Sequence, residues 1–480
     1  MERRNHKHTN RLTSRMVFAA IVGLGILTAA IYWINFKIYN LVPLFAGRSG
    51  IQLYVVIFLF LSVLYLTAVF LVIKMMPIEE ASRWLSGTII FFAVIFRLGL
   101  IAPDPAVLSR DMYRYIWDGR VQQSGINPYR YPPGAVELEN LRDDQIFPKI
   151  NRKEYPTLYP AGAQVFFRIS YMLAGDSVTG FKGIMTFFDL LTLLVLAALL
   201  QTWRLNLSRI IVYAWNPLVI FEIAYSGHLE GLTVFLMVTA FYLHAMRKKT
   251  PAVVMLALST AVKMYPALLL AAFLNRRDRI KGLITFSATL MLLYLPFSAA
   301  GSKIAGFLPV YLKNPYESFN LGLKYLLMRL IPGLDYYLLS LLFIIALAIA
   351  GLIVFLKEKK DTEAFRYAYI LTGLLMILMP ASLHPWYVIL IIPFLTVYPN
   401  PAWLAFTCTV TLSYLKYTSP QGITPAWVLI TEYLLLFALL AAGYMLKKHL
   451  HRRRVSDMDI SRRKEEMVAV DLNAITKRTQ

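Results

Sequence analysis

Cysteine and charged residues are both scarce in this sequence. Its 480 residues include one cysteine, Cys408, so no disulfide bond can form within the chain. Charged residues make up only 16% of the chain, whereas hydrophobic residues make up 58%. A soluble protein of this length needs more charge than that to cover its surface. The composition therefore excludes an ordinary soluble globular protein and predicts a polytopic membrane protein.

Acidic residues are also few, with 27 Asp and Glu against 49 Lys and Arg, and the formal net charge is +22. Nucleic-acid-binding proteins can show such an excess, but here the basic residues form short patches between apolar runs. That distribution is typical of the cytoplasmic loops of membrane proteins, so we expect no nucleic-acid partner. We expect a basic cytoplasmic N-terminus at 1–15 and a basic cytoplasmic tail at 447–480 that contacts membrane lipids, in a bacterial inner membrane.

Motifs for soluble cofactors and metals are absent. The sequence has no Walker-type phosphate loop, no glycine-rich dinucleotide fingerprint and no cluster of His and Cys with metal-ligand spacing. We therefore expect no bound cofactor and no metal site, although the sequence is compatible with a divalent cation. A donor dissolved in the membrane, such as a polyprenyl-phosphate sugar, would need no nucleotide-binding domain.

Apolar runs predict an all-α transmembrane domain over 16–446. We predict about twelve crossings, near 16–36, 51–73, 87–102, 180–200, 210–226, 232–246, 282–299, 337–356, 367–383, 386–398, 402–416 and 425–446. The polar segment 104–160 is predicted to be an outer loop, because its acidic and basic residues are balanced. A second outer loop is predicted at 300–336.

One apolar segment, 251–274, is long enough to cross the bilayer once. A single crossing would place the basic sequence NRRDRIK outside and reverse every later loop. We therefore predict a re-entrant hairpin of two half-helices with Lys263, Tyr265 and Pro266 near its tip, which is tolerated where the backbone lines a cavity. The alternative is an ordinary span in which Lys263 reaches toward the interface.

Carboxylates and arginines are interleaved within about three helical turns of the predicted outer loop. Asp111, flanked by Arg110 and Arg114, would remain ionised and could accept a proton from a substrate hydroxyl. Asp118 is the reserve candidate for this catalytic role, and the alternative for it is a structural or acceptor-binding role. The alternative for Asp111 is an ion pair that holds the loop in place. Tyr113, also in this stretch, is a candidate substrate contact.

Basic residues in the loop and the hairpin are candidates for binding a phosphate. A lysine in an otherwise apolar stretch costs roughly 2.5–3.5 kcal/mol on insertion into a membrane, so such residues usually face a cavity or a partner. Lys263 meets that description, and a lipid-linked phosphate would be a suitable partner. Arg114 and Arg120 could add bidentate contacts, and Tyr265 lies beside Lys263 in the sequence.

Three further polar residues lie in predicted outer segments. His228 and Glu230, in the turn SGHLEG, could bind sugar hydroxyls, although a surface turn needs polar residues in any case. His384 precedes a tryptophan and a tyrosine closely. It belongs either to an interfacial aromatic belt or to a platform on which a sugar stacks.

The order of several short motifs resembles a known family. GINPY at 125–129, YPTLYP at 155–160, SGHLEG at 226–231 and KMYP at 263–266 follow one another as in the GT-C-fold polyprenyl-phosphate-sugar glycosyltransferases. The chain is most similar to the bacterial mannosyltransferases related to those of actinobacterial lipoglycans and to the enzyme that adds the first mannose of GPI anchors. The resemblance covers about residues 87–400, and the order of the motifs carries it more than any one of them.

The resemblance implies a GT-C-like helical bundle that transfers a hexose, most often mannose, from a polyprenyl-phosphate donor to a lipid or glycan acceptor, with inversion, at the outer face. It implies a catalytic aspartate at Asp111, a lipid-donor site that includes Lys263 and Tyr265, and an active site lined by Glu230. Two departures from the family pattern stand out. Two extra spans precede the loop, and the loop lacks two acidic residues one position apart, so the choice between Asp111 and Asp118 stays open.

Two other functions fit a membrane protein of this kind. A transporter or flippase of a lipid-linked saccharide would also need a cavity and buried charge, but paired broken helices in inverted repeats would be expected, and only one such hairpin is predicted here. A polymerase or ligase of lipid-linked glycans would use a diphosphate-linked donor, and the number of donor phosphates leaves no trace in the sequence.

Overall fold

In a computed structural model of the chain, the described residues are 2–41, 48–75, 83–102, 108–306, 308 and 319–449. These residues form helices and turns, and no strand occurs among them. The α-helices in chain order are α1 Glu2–Leu41, α2 Arg48–Phe70, α3 Arg83–Ile101, α4 Asp111–Gln123, α5 Ala161–Ala174, α6 Val178–Thr202, α7 Ile211–Ala214, α8 Pro217–Val219, α9 Glu230–Ala245, α10 Lys249–Val262, α11 Leu270–Phe273, α12 Arg279–Tyr294, α13 Leu323–Leu330, α14 Tyr336–Leu356, α15 Ala364–Ile377, α16 Ile392–Leu395, α17 Pro401–Thr409 and α18 Ala426–His449.

Short 3-10 and π-helical segments extend or join several of these helices. The π-helical segments are Leu71–Met75 and Ile220–Tyr225, and the longer 3-10 segments are Val136–Leu141, Tyr265–Leu269, Leu295–Ala305, Pro385–Ile391 and Val410–Thr418. Three predicted regions extend outside the described residues. These are the start of the outer loop at 104–107, most of 307–318 in the second outer loop, and the tail from 450 to 480.

Seven helices in the described part of the chain are long and apolar enough to cross a membrane. They are Ser14–Ile34, Gly50–Met75, Trp84–Ile101, Val178–Thr202, Arg279–Ala305, Tyr336–Leu356 and Ala426–His449. An eighth span results if Leu207–Ala214 and Pro217–Tyr225, which meet at 55°, form one broken crossing. The chain is therefore a helical membrane protein. Helix length and composition support seven or eight crossings, so the count of about twelve stays a prediction.

The segment predicted to be a re-entrant hairpin is broken at the expected place. Helix α10 ends at Val262, and Lys263 has the extended backbone angles φ −140° and ψ 136°. A 3-10 segment with Pro266 in its first turn then leads into the short helix α11. Proline lacks the N–H that would continue α10, so the break follows from the sequence. Entry and exit on the same side of the membrane stay a prediction.

A buried ion pair holds part of the helical bundle together. Nε of Arg97 on α3 lies 2.5 Å from Oδ2 of Asp189 on α6, and both side chains are fully buried. The hydroxyl of Tyr213 on α7 donates to the other oxygen of Asp189 at 2.7 Å. Charges inside a membrane bundle are stable only when paired in this way. The pair therefore fixes three helices relative to one another.

Helix α4, which carries the candidate site residues of the predicted loop, is held by its N-terminus and by one face. The amide of Asp111 donates to Oγ of Ser109 at 3.3 Å, and the carboxylate of Asp111 lies in the first turn, where the helix dipole favours a negative charge. Along its length α4 packs against α5. A Cβ atom at Gly119 would lie 2.6 Å from the carbonyl oxygen of Phe167, so only glycine permits this approach.

Candidate active site

A cavity of about 520 Å³ lies where the start of α4 meets the break after α10. Its walls come mainly from residues within five parts of the chain, 108–111 with Arg114, 151–160, 262–265, 384–387 and 416–417, and Ile51 and Phe319 complete them. The structure therefore brings the predicted outer loop, the YPTLYP motif and the KMYP motif together at one place. Residues far apart in the sequence meet here.

Asp111 is the one acidic residue among the described residues that line the cavity. Its side chain is 22% exposed, and its Oδ1 accepts a hydrogen bond of 2.9 Å from Nδ2 of Asn151. One carboxylate oxygen is thereby positioned by an amide. Since the side chain keeps access to the cavity, it can contact a substrate there.

Basic side chains surround this carboxylate. The cationic residues that line the cavity are Arg110, Arg114, Arg152, Lys263 and Lys416. The backbone of Arg152 has φ 51°, in the left-handed region that residues other than glycine seldom adopt outside functional or tightly held segments. Several positive charges around one carboxylate make the cavity a suitable site for an anionic group such as a phosphate.

Lys263 is held by two contacts at the cavity wall. Its Nζ atom lies 2.5 Å from Oε1 of Glu230 and 5.1 Å from the ring centre of Tyr387. Glu230, the first residue of α9, is buried and does not line the cavity. Tyr265 does line it, and its ring packs on that of Tyr387 at 4.9 Å. Glu230 therefore holds Lys263 by a contact that lies outside the cavity lining.

Asp118 lies deeper, behind Arg114. Its Oδ1 accepts from Nε of Arg114 at 2.9 Å, and its Oδ2 accepts from Nε2 of Gln164 at 2.9 Å. The same arginine donates from both terminal nitrogens to the carbonyl oxygen of Tyr155 at 3.2 Å. Asp118 is buried and does not line the cavity. It therefore positions Arg114, which does line the cavity.

Arg120 and Tyr113 lie away from the cavity. Arg120 forms ion pairs with Asp143 and, at 2.6 Å, with Asp176, which connect α4 to the rest of the loop and to the turn before α6. Tyr113 is fully buried, and its hydroxyl accepts from Nζ of Lys149 at 3.3 Å. In this structure both residues hold the loop through these contacts, and neither lines the cavity, so a role of either in substrate binding stays a prediction.

Three aromatic rings stack in a row at the base of the cavity. The ring of His228 lies 4.0 Å from that of Trp386 with an interplanar angle of 18°, and Trp386 lies 4.4 Å from His384 with an angle of 16°. His384 and Trp386 line the cavity, whereas His228 is fully buried beneath it. Burial, together with the nearby Lys263, holds the pKa of both histidines well below the usual range, so both rings are neutral at pH 7.

Several cavity residues were not singled out from the sequence. They are Asn151, Arg152, Tyr155, Tyr159, Phe319, Lys416 and Tyr417. Lys416 carries the same signal as Lys263, since it is a lysine next to an apolar run, and that signal could have found it. Asn151 and Arg152 carry no such signal, because they belong to a polar loop. In the described part of the chain no group of His, Cys, Asp and Glu is arranged to hold a metal ion.

One family model matches the chain. It is described as the MptA_B family, alpha-(1->6)-mannopyranosyltransferase, N-terminal domain, and it matches residues 12–276. The matched part includes Asp111, the SGHLEG turn and Lys263, whereas His384 and Lys416 lie beyond it. Comparisons with curated proteins and with solved structures gave no match.

Proposed function

Because the chain belongs to the MptA_B family of alpha-(1->6)-mannopyranosyltransferases, we propose that it transfers mannose from a polyprenyl-phosphate donor to a hydroxyl group of a lipid or glycan acceptor. Membership of this family supports glycosyl transfer as the reaction that the protein catalyses. We further propose that the membrane is the bacterial inner membrane, that both termini are cytoplasmic and that the cavity opens at the outer face.

One observation carries the choice of reacting groups: among the described residues, a single carboxylate, Asp111, lines a cavity that five basic side chains also line. An inverting transfer needs a base for the acceptor hydroxyl and positive charge for the departing phosphate. Asp111 is the base in this proposal. Lys263, Arg114 and Arg152 are the donor phosphate contacts, and Tyr265 packs beside Lys263.

The proposed reaction is a direct displacement at the anomeric carbon. The acceptor oxygen forms a bond to that carbon while its proton passes to the Asp111 carboxylate. The bond between the anomeric carbon and the phosphate oxygen breaks, and its electron pair leaves with the polyprenyl phosphate. The added negative charge on that phosphate is stabilised by the basic side chains. A displacement of this kind inverts the anomeric centre, so an α-linked product requires a β-linked donor.

The cavity also has an apolar side that supports a lipid donor. Ile51, Leu108, Leu158, Val262 and Met264 line it together with the cations. Met264 is 41% exposed, so the cavity reaches the surface at the break after α10. A ligand with a charged head and an apolar chain matches a wall of this mixed character, whereas a nucleotide sugar has no apolar chain to bury there.

The test is mannosyl transfer by the purified protein in nanodiscs. Polyprenyl-phosphate [¹⁴C]mannose and GDP-[¹⁴C]mannose are offered in parallel with a panel of lipid and oligosaccharide acceptors. We expect label to reach an acceptor from the polyprenyl-phosphate donor and not from GDP-mannose. Label transferred from GDP-mannose would overturn the proposed donor. Movement of intact labelled lipid between leaflets, with no product in the presence of any acceptor, would replace the enzyme by a flippase.

A further inference from the structure

A buried row of ionisable side chains lies behind Asp111 and takes no part in the mechanism so far. Nδ1 of His228 lies 4.0 Å from Oδ2 of Asp111, and Nε2 of the same ring lies 3.4 Å from Oε2 of Glu222. The other oxygen of Glu222 accepts a hydrogen bond of 2.6 Å from the hydroxyl of Tyr414. His228, Glu222 and Tyr414 are all fully buried.

The backbone at 220–231 is shaped to bring His228 over Glu222. Residues Ile220–Tyr225 form a π-helix, a rare form that often occurs at functional sites. Gly227 then has φ +72°, a left-handed conformation that favours glycine, and a Cβ atom there would also require the end of the Met112 side chain to move. After this turn the amide of His228 donates to the carbonyl oxygen of Glu222 at 2.9 Å.

Three atoms of this row lack a hydrogen-bond partner in the described part of the chain, and this points to proton transfer along it. Both ring nitrogens of His228 and the Oε2 atom of Glu222 are buried. None of the three atoms has a hydrogen-bond partner among the described residues. Buried polar atoms are rarely left in this condition without a functional reason. Each nitrogen instead faces the oxygen of a different carboxylate. Stacking on Trp386 at 4.0 Å keeps the ring in the plane that allows this.

We propose that His228 and Glu222 are positioning residues for Asp111, and that His228 takes up the proton that Asp111 removes from the acceptor hydroxyl. This inference rests on the proposed function. In this proposal the proton of the neutral ring is on Nε2, which lies 3.4 Å from Oε2 of Glu222, so the Nδ1 lone pair faces Asp111. Once the acceptor proton has bonded to Asp111, it passes to Nδ1, and Asp111 returns to the carboxylate. The imidazolium so formed lies between the two carboxylates.

Other titratable groups also lie near His228. Lys263 lies across from it at the hairpin tip, Glu230 follows it on its own turn, and His384 lies beyond Trp386 in the stack. Lys182 lies beside Gly227 and donates to the carbonyl oxygen of Leu100 at 3.0 Å. These groups are the same in the variants compared below, so a difference between variants reports on Glu222 and His228.

The first measurement is kcat and the donor KM as functions of pH for Glu222→Gln, Glu222→Asp and His228→Gln. We expect Glu222→Gln and His228→Gln to lower kcat by about tenfold to a hundredfold, as displacement of a reacting group does, with the donor KM unchanged. In Glu222→Gln no carboxyl group faces Nε2, so a protonated His228 ring is less stable and the acid limb of kcat moves to lower pH. Glu222→Asp, which keeps a carboxyl group at this position, should leave the acid limb in place.

His244→Gln is the matched control, because His244 is also a buried histidine but lies at the far end of α9. It should leave kcat unchanged. If Glu222→Gln and His228→Gln fold and keep the kcat and acid limb of the His244→Gln protein, the proposal is overturned. A rise in donor KM at unchanged kcat overturns it as well, since these residues would then bind substrate.

A second readout does not depend on activity and so separates this inference from the proposed function. NMR of protein with ¹⁵N-labelled histidine, assigned with His228→Gln, reports the tautomer of His228. We expect the Nε2–H tautomer in the native protein and its loss in Glu222→Gln. An inactive native protein would overturn the proposed function alone. A tautomer that is the same in the native protein and in Glu222→Gln would overturn the pairing of His228 with Glu222.

Discussion

The Nζ atom of Lys263 lies 2.5 Å from Oε1 of Glu230, and this contact joins the KMYP and SGHLEG motifs. The side chains are only 10% and 4% exposed. A charged lysine in such a place needs a partner, and Glu230 supplies it from the side opposite the cavity. The lysine side chain is therefore already positioned at the cavity wall and does not have to move there from bulk water when a ligand binds.

Lys263→Met should lower kcat/KM for the polyprenyl-phosphate donor. A hydrogen bond to a charged group contributes about 1.5–3 kcal/mol, which is roughly tenfold to a hundredfold in rate. Lys281→Met is the matched control, because Lys281 is an exposed lysine on α12 that does not line the cavity. Steady-state transfer at varied donor concentration checks this. Equal kcat/KM in the two variants would remove Lys263 from the donor site.

Asp118→Asn should lower stability and leave catalysis largely in place. Asp118 is buried and positions Arg114 through the contact of 2.9 Å, so loss of its charge leaves a buried guanidinium less well compensated. We expect a loss of about 1–3 kcal/mol in the free energy of unfolding. Thermal unfolding in detergent and transfer assayed well below the midpoint measure the two effects separately. A variant as stable as the native protein but without activity would contradict this supporting role of Asp118.

The loop should loosen in acid through Asp143. Burial by itself raises the pKa of this carboxyl, but hydrogen bonds from the Phe147 backbone and from Arg120 outweigh burial and bring it below the usual value. A lowered pKa contributes stability that is present above the ordinary carboxyl range and is lost as the pH falls through the folded-state value. Unfolding temperatures measured from pH 7 to pH 3 should therefore fall less steeply for Asp143→Asn than for the native protein. Parallel curves would show that the pair with Arg120 adds no pH dependence.

Local sequence patterns identified part of the site because part of it is local. Asp111 and Arg114 are one helical turn apart, so they share a face of α4, and both line the cavity. Tyr113 and Arg120 lie two and nine residues after Asp111, which is about half a turn of rotation in each case. Their position on the opposite face, away from the cavity, follows from the helical period once α4 is known to begin at Asp111.

The remainder of the site depends on tertiary structure. Asn151 reaches Asp111 across 40 residues of sequence, and Tyr414 reaches Glu222 across 192. No periodicity within one helix connects such pairs. Glu222 did carry a local signal, since it is a lone carboxylate in the apolar run PLVIFEIAY, but its partner His228 becomes evident only through the π-helix and the turn at Gly227. The same limit applies to the membrane crossings, because lengths of apolar runs do not distinguish a span from a buried short helix.

The most direct test of the account compares Asp111→Asn with Asp144→Asn in a single-turnover assay with bound polyprenyl-phosphate mannose. Asp144 is an exposed carboxylate of the same loop that does not line the cavity. If Asp111 is the base, Asp111→Asn should bind the donor normally and transfer mannose more slowly by about 10²–10⁴, and Asp144→Asn should behave as the native protein does. Transfer by Asp111→Asn at the rate of Asp144→Asn would contradict the central claim.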